Sequence, residues 1–228
     1  MLLTQYALLN HTDTHIHIAL SKTHQVLSSA VLNGGLCDAT HLLNLRVTKN
    51  SACTDSADQT LVQYSDHLNI SGTVVGMMTA ASMNSCHVEK ETIQGIDIAV
   101  LVTSGLSNPR HVGDHAEHRE MTTSETVVGT INTIVLTSAT LTQAALVEAM
   151  MIATEAKTAA LVDANILSPI SQKLATGTGT DAIAIVNVHG STVQFCGKHV
   201  LFGEVLGRLV KDAVASSISW DSPNRKVC

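Results

Sequence analysis

Between Thr126 and Val188 long apolar runs alternate with short polar breaks, and this stretch sets the expected core. Val127 to Thr137 is rich in β-branched residues and free of charge, the pattern of a strand covered on both faces. Thr140, with Gln143 three residues on, matches a capping box and predicts a helix start. From Leu141 to Ala164 that helix is apolar nearly all round, as a core helix is, with Glu148, Glu155, Lys157 and Asp163 as its few charges. Residues 175–181, ATGTGTD, then lead into a strand over Ala182–Val188.

Upstream the signals are shorter. DTHIHIAL (13–20) alternates as a strand does, and His24–Ala30 predicts a second strand running into LNGGL at 32–36. Paired glycines there imply a sharp turn or a close backbone approach. Ala39–Val47 has no decisive period. Asp55 or Ser56 can cap a helix reaching about Leu68, with Leu61, Val62, Tyr64 and Leu68 inward. Thr73–Thr79 and Gly95–Thr103 read as strands joined by a polar connection, and 104–120 as a long polar loop. Val193–Phe195 predicts a short strand and His199–Ile218 a last helix, with Val205, Leu206, Leu209, Val210 and Val214 at helical spacing. Ser219–Cys228 reads as a loose tail. With no linker or repeat, the expected fold is an α/β (α+β) layered sandwich, a single domain over 1–228 with its core at about 13–218.

Composition narrows the function classes. Aromatic residues are only 2%, too few for the stacking platforms of single-strand nucleic-acid binders, and a net charge of −6 opposes phosphate-backbone binding. No apolar run approaches the roughly 20 residues of a membrane span, so neither nucleic acid nor membrane is expected as a partner. The N-terminal residues lack a basic region and a cleavage site, and the five scattered cysteines read as reduced thiols, which together point to the cytoplasm.

Several constellations could carry chemistry. Asp13-x-His15-x-His17 has the spacing that opens the metal site of amidohydrolase barrels, but that fold needs about 250 residues in eight strand–helix repeats. An exposed strand face is the simpler account. His111, His115 and His118 share one polar loop without a carboxylate from a second segment, so no metal site is expected. The Thr176–Asp181 loop can be an anion nest or a tight helix-to-strand connection, and it lacks the nucleotide-phosphate motifs. Glu155 and Lys157, two apart, sit on different helix faces, each with a structural ion pair as its default role. Lys198 and His199 open the last helix, ahead of Glu204, where a neutral histidine suits a general base.

Seven segments in order resemble the adenosylcobinamide amidohydrolase family of corrinoid salvage: LSSAVLNGGL (27–36), VGMMTAA (75–81), VTSGLSNPRHVGD (102–114), GTINTIVLTSATLTQAAL (129–146), TEAKTAAL (154–161), ATGTGTDAIAI (175–185) and GKHVLFGEVLGRLV (197–210). The resemblance implies hydrolysis of the aminopropanol amide of adenosylcobinamide, giving adenosylcobyric acid and 1-amino-2-propanol. The strand–helix–loop–strand order is also similar to part of the self-processing aminopeptidase and ornithine acetyltransferase fold, which leans the sandwich toward α/β/β/α. The substrate brings its own cobalt, so no further cofactor is expected, and a homo-oligomer stays open.

Under that resemblance, amide cleavage needs an activated nucleophile, oxyanion donors and an acid for the leaving amine. The expected donors are the backbone amides of Gly177–Thr180. Asp181 or Glu155 would orient or deprotonate the nucleophile, and His199 or Lys157 would protonate the nitrogen. The nucleophile is water or the hydroxyl of Thr178, Thr180 or Ser104. Substrate contacts are expected from Asn33, Gly34, Gly35, Asn108, Asn132, Thr176, Gly177, Thr178, Gly179, Thr180 and Lys198. Loss of the Asp181 side chain is expected to slow turnover and leave thermal stability intact. A corrinoid-binding protein without catalysis, or a metal-dependent amidohydrolase of another substrate, are the alternatives.

Overall fold

The computed structural model describes residues 1–47, 55–117, 121 and 130–224. His118 and the first residues of the strand expected from Val127 lie outside the described residues.

The chain opens with β1 (Leu2–Thr4), β2 (Ala7–His11), β3 (His15–Ser28) and β4 (Gly35–Arg46). Helix α1 (Ala57–His67) and β5 (Val74–Thr79) follow, then the hairpin of β6 (His87–Ile93) and β7 (Ile96–Ser104). Short β8 (Pro109–Arg110) precedes β9 (Ile131–Thr137), β10 (Thr140–Leu141) and the long helix α2 (Gln143–Asp163). The last elements are β11 (Gly177–Thr178), β12 (Ala182–Asn187), β13 (Thr192–Val193) and α3 (Leu201–Asn224).

Nine strands form one sheet, and β3 lets it fold on itself. On one edge its first half pairs with β2, Ile16 opposite His11, while its second half pairs with β12, Ser28 opposite Ala184. Along the other edge β4 accompanies both halves, with a register shift between Ala19 and His24. Two half-sheets result: β5, β4, β3, β2 and β1 on one side, and β12, β9, β7 and β6 on the other. Their inner faces meet in one apolar cluster, where Ile16, Ile18, Leu42 and Met77 lie among Leu101, Ile134, Leu136 and Val186. The outer faces are covered separately. Val100, Val135 and Ile185 pack under α2 and α3, while Leu43 and Val74 pack against Leu61 of α1. The layers therefore run helix, sheet, sheet, helix, the order toward which the sandwich was expected to lean. Among the described residues no helix is long and apolar enough to cross a membrane.

Local physics adjusts several expectations. All seven residues of β9 are buried, as its uncharged sequence predicts. The α2 cap is Thr142, whose hydroxyl accepts from the Ala145 amide at 3.2 Å. Thr140 instead pairs with Thr192 in a two-strand ribbon and binds Val188 and Gly190. Nor is α2 buried all round: Ala145, Ala149, Ile152 and Leu161 face the core, while Val147 and Met151 are about half exposed. His15 to Ser28 is one strand, not two, and the ambiguous stretch at 39–47 lies largely within β4. The expected polar connection holds an edge strand, β6, whose charges Glu89, Lys90 and Glu91 disguise it. The expected tail is helical to Asn224.

Candidate active site

Where α2 meets the start of β12, a lysine from an apolar helix face is brought to a loop carboxylate. Lys157 is only 6% exposed, and its ammonium is ion-paired with Asp181. A buried cation survives in a fold only when compensated. Asp181 supplies that and more. Its Oδ1 accepts the Ile131 amide at 3.0 Å and the Thr178 hydroxyl at 2.5 Å; its Oδ2 accepts Lys157 and the Thr178 amide at 3.1 Å. A carboxylate offers about four acceptor directions, and all are occupied here. Asp181 therefore ties together β9, α2 and the loop.

The loop is built around this carboxylate. Strand β11 pairs antiparallel with β8, Gly177 opposite Arg110. The Thr176 amide donates to the Arg110 carbonyl at 2.8 Å, and the Thr158 hydroxyl to the Thr176 carbonyl at 2.9 Å. The glycines are explained by proximity to the protein's own side chains. A Cβ on Gly177 would run into the Asp181 carboxylate and the Lys157 ammonium, and one on Gly179 would lie 2.5 Å from the Asn108 amide nitrogen. Lys157, Asn108, Thr176, Gly177, Thr178, Gly179 and Asp181 thus form one assembly.

Two of the four expected oxyanion donors are spoken for in this geometry. The Thr178 amide is bound to Asp181, and the Gly179 amide donates to the Asn108 carbonyl at 3.2 Å. Ser104 leaves the nucleophile candidates: it is fully buried, and its oxygen is bonded to Ser217 at 2.7 Å.

Other expected residues lie apart. Glu155 pairs with Lys198 on the solvent side of α2, with side chains 52% and 72% exposed. Both border a cavity of about 250 Å³ between α2 and α3, lined also by Ile152, Ala156, Gly203 and Arg208. His199 is exposed beside them. The four expected catalytic side chains therefore split into a buried pair, Lys157 with Asp181, and a surface group of Glu155 and His199. Asn132 is 1% exposed and serves the interior: its amide donates to Asn44 at 2.8 Å and to the Met78 carbonyl at 3.0 Å, joining the two half-sheets. Thr180 connects to that interior through its carbonyl, which accepts from Thr130 at 2.5 Å. Asn33 and Gly34 form the exposed turn into β4, which begins at exposed Gly35, and Asn33 donates to the Val74 carbonyl at 2.8 Å.

The histidine groups are used structurally. His15 stacks edge-on against Tyr64 of α1 and bonds its hydroxyl at 3.1 Å. His17 Nε2 and His41 Nδ1 are 3.0 Å apart, and His41 Nε2 reaches the Ser71 carbonyl. Burial, then His41 and His15, push His17 down to about 4. His111 bonds the Leu174 carbonyl at 2.7 Å. Among the described residues no three His, Cys, Asp or Glu side chains are grouped to hold a metal ion.

Residues that sequence reasoning passed over include Thr130, Thr158 and Ser168, which bind the loops together, Ser168 through Asp114. Thr158 lies on α2 and Thr130 just ahead of β9, and neither stood out from the other polar residues around it.

The chain has likenesses among known proteins. A family profile described as adenosylcobinamide amidohydrolase (CbiZ) matches residues 3–224. The chain is similar to the uncharacterized protein MJ1613 of Methanocaldococcus jannaschii, 33% identical over 156 residues, 62% of this chain and 61% of that one. The match thus spans less than two thirds of that relative. Among solved structures, the PH0078 protein from Pyrococcus horikoshii OT3 aligns over 95% of this chain and 85% of its own, with a TM-score of 0.52 and 11% identity, a likeness of fold alone. An l-aminopeptidase d-ala-esterase/amidase from Ochrobactrum anthropi aligns over 94% and 83%, with a TM-score of 0.38 and 9% identity.

Proposed function

Because the chain belongs to the adenosylcobinamide amidohydrolase family, we propose that it cleaves the amide joining aminopropanol to adenosylcobinamide, with Thr178 as nucleophile. The products are adenosylcobyric acid and 1-amino-2-propanol. The observation that carries the chemistry is the chain of contacts from the Thr178 hydroxyl through Asp181 to Lys157.

An amide resists attack because both its carbon and its leaving nitrogen are unreactive, so a nucleophile and a proton donor must act together. In the proposed sequence the Thr178 oxygen bonds to the amide carbon as its proton passes to Asp181 Oδ1. The carbon–nitrogen bond breaks as the nitrogen takes a proton from Lys157, which regains one from Asp181. Water then cleaves the ester, returning a proton to Thr178. The corrinoid is the substrate, and its cobalt takes no part in these steps.

Incubation with adenosylcobinamide and mass detection of adenosylcobyric acid test the substrate. Thr178→Ala is expected to lose at least ~100-fold in kcat, with Thr178→Ser retaining most of the rate. Binding without product would favour a corrinoid-binding protein instead. Full turnover by Thr178→Ala would move the nucleophile elsewhere, with water as the first alternative.

A further inference from the structure

We propose that the double loop formed by residues 109–114 and 166–176 is the seat for the corrin macrocycle, gripping its apolar ring while the amide arm reaches Thr178. The inference rests on the amide-cleaving reading above and assigns the surface that would hold the bulk of the substrate.

Four large apolar side chains stand in solvent on these two segments: Val112 is 77% exposed, Leu167 49%, Ile170 44% and Leu174 36%. Single exposed apolar residues are ordinary, whereas several gathered on one bonded unit mark a binding surface. The segments are one unit. The His111 ring bonds the Leu174 carbonyl at 2.7 Å, the Val112 amide donates to the Thr176 hydroxyl at 2.9 Å, and Leu167 bridges to Leu174.

The surface is also held firmly. Asp114 accepts the His111 amide at 2.8 Å and the Ser168 hydroxyl at 2.5 Å, and the fully buried Ser168 accepts the Ile170 amide at 3.1 Å. The Ser168 hydroxyl, the largest cause, holds the Asp114 carboxyl down at about 2, so this clasp stays charged through the neutral range. A surface ordered in advance loses less freedom when a ligand settles on it.

Continuity with the site selects the occupant. Thr176 belongs to both the clasped loops and the Thr178–Asp181 turn. The amide to be cut stands on a short arm of the ring, so once its carbonyl reaches Thr178 the ring must land on the neighbouring surface. The ring offers apolar faces with amides at its rim. The same segment exposes Gln172 and Lys173, polar side chains for the amides of such a rim.

The test uses the full chain with adenosylcobinamide. Ile170→Asp and Leu174→Asp are expected to raise KM at least ~tenfold each while kcat falls far less, and Leu174→Met to keep KM near that of the parent. In a Thr178→Ala background, equilibrium dialysis followed by corrinoid absorbance should show the same tenfold weakening. Unchanged KM in an enzyme that turns over adenosylcobinamide overturns the seat and leaves the hydrolase reading standing. Binding lost in the aspartate variants of a protein that never releases product keeps the seat and removes the reaction.

Discussion

Asp181 holds two amides, a hydroxyl and an ammonium at once, which makes it as much a structural joint as a chemical group. Asp181→Ala would strand a buried lysine, and breaking such a pair costs about 3–5 kcal/mol. The earlier expectation of unchanged stability is therefore revised: urea unfolding should show that loss, and a midpoint close to that of the parent would mean Lys157 finds another partner. Activity measurements on this position need Asp181→Asn alongside, which keeps the side-chain shape. The sequence announced part of this. A single lysine inside an apolar helix had to be paired, and the loop with glycines at 177 and 179 read as either an anion nest or a tight connection. What it hid was what those glycines make room for, the protein's own Asp181 carboxylate and the Asn108 amide.

Helix α2 turns two faces to two tasks. Two residues rotate a side chain by more than half a turn, so Lys157 is buried against Asp181 while Glu155 reaches Lys198 in solvent. Exposed pairs of this kind contribute little. Glu155→Gln and His199→Ala are each expected to leave kcat within ~2-fold and stability within ~0.5 kcal/mol. A hundredfold fall in kcat for either would bring the outer face of α2 back into the reaction. Elements with a strong period, α1, β7, β9 and the bulk of α2, were legible from the chain. Strand β6 was not, because Glu89, Lys90 and Glu91, three of its seven residues, carry charge. The start of α2 was displaced because two threonines both suit a cap, and pairing with Thr192 claims the first of them.

Across the whole molecule, acid should act on histidines before carboxylates. His17 falls from its ordinary 6.5 to about 4, chiefly through burial. His15 and His24 move in the same direction for the same first cause, and neither ring nitrogen of His24 has a hydrogen-bond partner. Between pH 4 and 6.5 the unfolded chain binds more protons at His17 than the folded one. That contribution to stability is complete above 6.5 and is lost as pH falls toward 4. Urea midpoints measured from pH 8 to 4 should drop across this window, and His17→Gln should flatten the drop. An unchanged slope would exclude His17 as a source. The layer order was expected from mixed strands and helices plus family resemblance, but the curl that creates it was not, since no local pattern shows one strand serving two neighbours. That double service has a cost in time. Gln25 to Ser28 must wait for residues 184–187, so the far edge of β3 stays bare until the chain has been synthesised as far as β12. Joining ends so distant in sequence is slow, which makes closure of β12 onto β3 a late event in folding and leaves Val26 and Leu27 open to mispairing until then.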